Sequence, residues 1–151
     1  MREELKENTV YRSPTSKKDF NFINNSWSRS YADSPGFGYR LDIDKYIYEK
    51  QMQKKIDKIL SRENIIILIA CNKQDQDQIF GYIVAEIIDG FPVLHYVYIK
   101  NAYRNQRLAT ALMYTFHPNF KKTAFLFTNK SHAGSNIFNK VIGIYDPFLA
   151  E

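Results

Sequence analysis

The chain has 151 residues, 44% of them hydrophobic and 25% charged, with a formal charge of +5 at pH 7. This suits one compact domain spanning residues 1–151 and argues against disorder. The longest apolar run, Ile65-Ile66-Ile67-Leu68-Ile69-Ala70-Cys71, is too short to cross a bilayer, and the polar opening Met1-Arg2-Glu3-Glu4-Leu5-Lys6 lacks the apolar stretch of a signal peptide. A soluble cytoplasmic protein with no membrane partner is expected. Cys71, the single cysteine, excludes an internal disulfide, leaves no zinc-type spacing, and reads as a buried structural thiol. The positive charge favours an anionic partner, either a phosphate-rich cofactor or nucleic acid, without choosing between them.

Asn8–Arg12 is short and β-prone. Ser16 can cap a helix carrying Phe20, Phe22, Ile23, Trp27 and Tyr31, and after a loop punctuated by Pro35, Gly36 and Gly38, Asp42 can cap a second helix carrying Tyr46, Met52, Ile56, Ile59 and Leu60. Three strands follow at Asn64–Cys71, Gln78–Ile88 and Phe91–Lys100, the last two joined by the hairpin signal Asp89-Gly90. Leu108, Leu112 and Phe116 recur every fourth residue in a helix from about Asn105 to Phe116, which Pro118 stops. Lys122–Thr128 reads as a strand, Ser131–Ile142 as a short helix through Ile137, Phe138 and Val141, and Ile144-Tyr145 as a terminal strand. The order is that of a mixed α/β domain.

Within this order, the stretch Val97-Tyr98-Ile99-Lys100-Asn101-Ala102-Tyr103-Arg104-Asn105-Gln106-Arg107-Leu108-Ala109-Thr110-Ala111-Leu112-Met113 resembles the central acyl-CoA motif of the GNAT N-acetyltransferase superfamily. In that motif a strand of alternating apolar residues leads through Arg/Gln-x-x-Gly-x-Gly/Ala into a helix. Arg104 takes the first position and Ala109 the last, while Arg107 stands where the family usually has its first glycine. The resemblance implies a mostly antiparallel central sheet flanked by helices, and acetyl-CoA as acyl donor; the C-terminal strands read as abbreviated beside the family's usual pair. It also implies that backbone groups near Val97 and Ile99 pair with the pantetheine amides. The segment Arg104, Asn105, Gln106, Arg107, Leu108, Ala109 and Thr110 would hold the pyrophosphate, because it aims backbone N–H groups and a helix dipole at one spot. A side chain at Arg107 would either crowd the phosphates or bind them.

Acyl transfer to an amine needs the amine neutral and the departing thiolate protonated. His95 shares strand alternation with Val93, Val97 and Ile99, and an imidazole titrates in the useful range, although a hydrogen-bonded structural histidine has the same pattern. Glu86, on the preceding strand, could act through water or be an exposed strand carboxylate. The helix after the penultimate strand offers Phe138 and Asn139 in place of the family's frequent acid tyrosine, so Tyr98 and Tyr145 are the substitute acids, each equally readable as core. His132, in the loop Asn129-Lys130-Ser131-His132, is a further catalytic candidate. No metal-ligand spacing or Gly-x-Ser-x-Gly elbow occurs.

Trp27, Tyr31, Phe37 and Tyr39, interspersed with Arg29 and Arg40, form either an aromatic-basic surface that could stack bases or a mini-core with solvated arginines. Asn25-Ser26-Trp27 and Tyr145-Asp146-Pro147-Phe148-Leu149 are similar to small bacteriophage proteins related to the DNA-modifying Mom acyltransferase, a kinship that would place the protein in a host cytoplasm. The leading expectation is an acetyl-CoA-dependent N-acyltransferase, monomeric or homodimeric, acting by direct transfer on an amine. A non-catalytic phage-associated structural or interaction protein and a Mom-like enzyme acting on nucleic acid are the alternatives.

Overall fold

The computed structural model describes residues 2–33, 45–129 and 143–151. Contacts divide them into two units, one drawn from Met1–Pro14 and Ile66–Ala150, the other from Thr15–Ile65 with Glu151. The first carries the sheet. β-Branched and aromatic residues dominate its strands: β1 (Thr9–Arg12), β2 (Ile66–Asn72), β3 (Ile79–Ile88), β4 (Phe91–Ile99), β5 (Phe125–Phe127) and β6 (Gly143–Tyr145), which lie side by side in chain order. Neighbours from β1 to β4 run antiparallel, whereas β4 with β5 and β5 with β6 run parallel, so the sheet is mixed.

Asp89 and Gly90 close the β3–β4 hairpin with φ of 51° and 83°. Two successive positive φ values match the twist of a tight hairpin, which is why this dipeptide is readable in advance. A six-residue helix, α1 (Glu3–Asn8), precedes β1 where only a strand beginning near Asn8 was expected. Leu5 is its one apolar contact with the core, so helical periodicity had nothing to mark. β5 is shorter than the expected Lys122–Thr128 because Lys122 and Thr123 give their N–H groups to the Asn119 carbonyl in a turn.

After α2 (Lys17–Asp33) and α3 (Lys45–Leu60), which belong to the second unit, comes α4 (Leu108–Phe116), packed on one face of the sheet against β2, β3 and β4. Leu108, Leu112 and Met113 bury themselves there among Ala70, Ile83, Ala85, Leu94, Val97 and Ile99. The His117 N–H closes the helix on the Met113 carbonyl at 2.8 Å, and Pro118 follows. The opposite face holds Ile67, Ile69, Cys71, Tyr82, Val84, Val93 and Tyr96, all buried.

One irregularity in β4 positions the site. Val84 pairs with Tyr96 and Ala85 with Leu94, leaving His95 as an extra residue on β4, a β-bulge. The bulge shifts the alternation: Val93 lies opposite Glu86 on one face, while Val97 lies opposite Ile83 on the α4 face. The shared alternation of His95 with Val93, Val97 and Ile99 is thereby corrected, since those three residues do not share a face.

In the second unit, Ser16 precedes α2 as expected of a cap. The Asp19 N–H donates to Ser16 Oγ at 3.4 Å, and the Asp19 carboxylate accepts from the Thr15 N–H at 2.9 Å. Helices α2 and α3 pack together, and Asn24 Nδ2 donates to the Gln53 carbonyl at 3.2 Å and to Asp57 Oδ1. Ile23, Trp27, Ile56, Ile59 and Leu60 are buried, so Trp27 has no open ring face for stacking a base. Asp42, Phe37, Tyr39, Arg40 and the helix expected at Ser131–Ile142 lie outside the described residues. Among the described residues, no helix is long and apolar enough to cross a membrane, and no cluster of His, Cys, Asp and Glu is arranged to hold a metal.

Candidate active site

Three neighbouring strands bring three polar side chains to one point. Glu86 comes from β3, His95 is the bulge residue of β4, and Thr128 is the first residue past β5, held there by its N–H donating to the Leu94 carbonyl at 3.0 Å. His95 Nε2 lies 2.6 Å from Glu86 Oε1, and His95 Nδ1 lies 2.9 Å from Thr128 Oγ1. The imidazole is 0% exposed, Glu86 6% and Thr128 7%. Glu86 is therefore not an exposed strand carboxylate, because its face of the sheet is withdrawn from solvent and its charge is matched by a hydrogen-bonded imidazole. An ionised carboxylate only accepts, so with Glu86 charged the hydrogen of this contact sits on Nε2.

The other catalytic candidates are dispersed. Tyr98 shares the Glu86 face, its ring stacked on Tyr82 at 5.5 Å, but it stands three residues, about 10 Å along the strand, beyond His95. Tyr145 lies on β6, its ring 5.4 Å from Phe127, and β5 intervenes between it and β4. His132 lies outside the described residues. Thr128 carried no local signal in the sequence, as its partner in the chain of hydrogen bonds is 33 residues away.

β4 then runs into a loop whose geometry is set by backbone. After a 3-10 turn at Asn101–Tyr103, Arg104 Nε donates to the Ile99 carbonyl at 3.0 Å, tying the loop to the end of the strand. Asn105 and Arg107 have φ of 63° and 61°. Such values are incompatible with a right-handed helix, so α4 starts at Leu108 and not at Asn105. They also explain the glycine that Arg107 replaces, since only glycine adopts this conformation without steric cost.

The first closure of α4 is the Ala111 N–H on the Arg107 carbonyl at 3.0 Å, and the Arg107 side chain makes no capping hydrogen bond. The N–H groups of Leu108, Ala109 and Thr110 thus precede the helical ladder at its positive end. Asn105 and Arg107 are exposed, whereas Val97, Ile99 and Leu108 commit their side chains to the core and can offer a ligand only backbone. Gln106 lines a groove of about 380 Å³ with Gln78 and Tyr103, which are joined by a 2.8 Å hydrogen bond.

The parallel ladder between β4 and β5 spans two pairs, Val93 with Leu126 and Leu94 with Phe127, while the ladder between β4 and β3 continues to Ile99. Just past Thr128, the side-chain amide nitrogen of Asn129 is buried with no hydrogen-bond partner among the described residues. A buried donor in that condition fits a ligand carbonyl.

Residues 24–135, more than half of the chain, match the family described as Acetyltransferase (GNAT) family. A protein of Pyrococcus furiosus assigned as an acetyl transferase is similar in fold, with a TM-score of 0.56 at 12% identity over 91% of this chain and 82% of that one. The PaiA N-acetyltransferase of Thermoplasma acidophilum, solved in complex with coenzyme A, gives a TM-score of 0.50 at 18% identity over 87% of each chain. An assigned GNAT acetyltransferase of Desulfovibrio desulfuricans is 14% identical with a TM-score of 0.47, the match covering 71% of this chain and 62% of that one. No curated protein matches the sequence.

Proposed function

Because the chain belongs to the GNAT acetyltransferase family, whose members use acetyl-CoA as donor, we propose that it moves an acetyl group from acetyl-CoA to an amine by direct transfer, with the Glu86–His95 pair as the proton sink. The observation that carries the reading is that buried pair, on the strand that leads through residues 100–107 into the open start of α4. Acetyl-CoA supplies a thioester whose acyl carbon exchanges its C–S bond for a C–N bond.

The residues present fit such a donor. The N–H groups of Leu108, Ala109 and Thr110 and the exposed guanidinium of Arg107 suit a pyrophosphate, and the orphaned Asn129 amide suits a pantetheine carbonyl. The arriving amine must shed a proton before its lone pair can attack. His95 is wholly buried, so the proton reaches it through a hydrogen-bonded neighbour, and the resulting imidazolium is held against the Glu86 carboxylate. The departing thiolate takes its proton from solvent, because a thiol is acidic enough, at a pKa of about 8.5, to leave without a dedicated acid.

The test is calorimetric titration with acetyl-CoA, followed by release of free CoA thiol in the presence of a panel of small amines and peptide N-termini. Binding together with amine-dependent thiol release is expected. Absence of acetyl-CoA binding by the folded protein would refute the reading.

A further inference from the structure

We propose that Thr128 is a positioning residue that lets the buried His95 imidazole gain and lose a proton. Donor and acceptor counts at the ring set the constraint. A neutral imidazole has one N–H donor and one lone-pair acceptor, and the imidazolium has two donors. At His95, Nε2 lies 2.6 Å from Glu86 Oε1, and beside an ionised carboxylate, which only accepts, it is the donor in both states. Protonation therefore changes the character of Nδ1 alone, from acceptor to donor. The group at Nδ1 is the Thr128 hydroxyl, 2.9 Å away.

A hydroxyl rotor donates to the lone pair of the neutral ring and, after turning about its C–O bond, accepts from the N–H of the charged ring. A backbone carbonyl at this place would lock the ring with Nδ1 protonated, and an apolar group would take the Thr128 hydrogen bond from the ring in both states. The ring is 0% exposed, so the hydrogen bonds of its nitrogens are set by buried neighbours. Thr128 is delivered to this spot by backbone, through its N–H bond to Leu94 O, the residue beside the bulge. The hydroxyl distinguishes an imidazole that can serve as a base from one that is only part of the core.

The catalytic consequence rests on the acyl-transfer reading, but the protonation chemistry does not, and the experiment separates them. ¹⁵N NMR of the imidazole rings is recorded across the pH range in which the fold persists, with His95 assigned by eliminating His117 and His132 in turn. Wild type, Thr128→Val, Thr128→Ala and Thr128→Ser are compared, alongside kcat and KM for acetyl-CoA. In wild type, Nε2 is protonated throughout and Nδ1 exchanges between bare and protonated. Thr128→Val, nearly isosteric, is expected to suppress the doubly protonated ring and lower kcat by roughly 10- to 100-fold, with KM for acetyl-CoA within about twofold. Thr128→Ser is expected to restore both, and Thr128→Ala serves as the hydroxyl-free variant should valine disturb folding. The proposal is overturned if a folded hydroxyl-free variant shows wild-type ring titration, or if a folded serine variant behaves like valine. If no variant, wild type included, transfers an acetyl group, yet loss of the hydroxyl alone abolishes ring protonation, the acyl-transfer reading fails and the role of Thr128 stands.

Discussion

The two halves of the candidate site are built from different materials. Between Arg104 and Thr110 the useful groups are backbone: two left-handed residues, then three N–H groups ahead of the helical ladder. At Glu86, His95 and Thr128 the useful groups are side chains from three strands, and the backbone serves only to deliver them. A site made of backbone tolerates many side chains but few changes of conformation. A buried polar chain has the opposite sensitivity, because each member satisfies the next and the low dielectric penalises any gap.

Substitutions ordered by expected effect put that contrast to work. His95→Ala removes the imidazole that the buried Glu86 carboxylate bonds and should cost about 3–5 kcal/mol in urea denaturation. Glu86→Gln keeps the volume and a hydrogen bond, so most of the stability should remain while acetyl transfer to an amine falls by about 100-fold or more; equal losses in both variants would reduce the pair to a structural one. In the loop, Ala109→Pro deletes a backbone donor in the first turn, where proline is tolerated. It should weaken acetyl-CoA binding by about tenfold in calorimetry, about 1.4 kcal/mol, whereas Asn105→Ala should change it by less than about twofold, since only the side chain is lost.

Between these two falls Arg107→Ala, expected to weaken binding about threefold at low salt and not at all near 1 M, where screening reaches a few ångströms. Arg107→Gly should match it in binding but be up to about 1 kcal/mol more stable than the alanine variant, because the left-handed backbone is relieved. Outside both halves, burial holds the Tyr11 hydroxyl above its ordinary pKa of 10.0. The folded state then keeps a proton that the unfolded chain releases, so this contribution is complete below pH 10.0 and is lost as pH rises beyond it. Tyr11→Phe should flatten the alkaline edge of the stability profile slightly and leave neutral stability unchanged.

The backbone half was the more legible of the two. Arg104 through Ala109 is a local string, Asp89-Gly90 announces its own turn, and Pro118 marks where α4 must stop. What escaped was the left-handed start that moves the helix to Leu108, since asparagine favours a positive φ without compelling it and arginine at 107 gives no such signal. In the side-chain half, His95 and Glu86 stood out as residue types, but their partnership crosses a hairpin and depends on a bulge. Strand alternation, applied to β4 without that extra residue, put Val93 and Val97 on one face. Thr128 lay beyond local reasoning, because a threonine at a strand end is common and only the parallel seat of β5 gives it meaning.

The extra residue in β4 also acts as a counting rule for the chain. From the Asp89-Gly90 tip to Ile99, β4 carries one residue more than the stretch of β3 it faces, and that surplus fixes how the two strands engage. Lengthening or trimming the hairpin by matched residues near Ile87 and Pro92 leaves the surplus where it is. Removing a single residue between Val93 and Val97 would close the ladder into perfect step, erase the place that His95 occupies, and take from Glu86 the imidazole it bonds. Natural or designed length changes in this hairpin should therefore come in pairs.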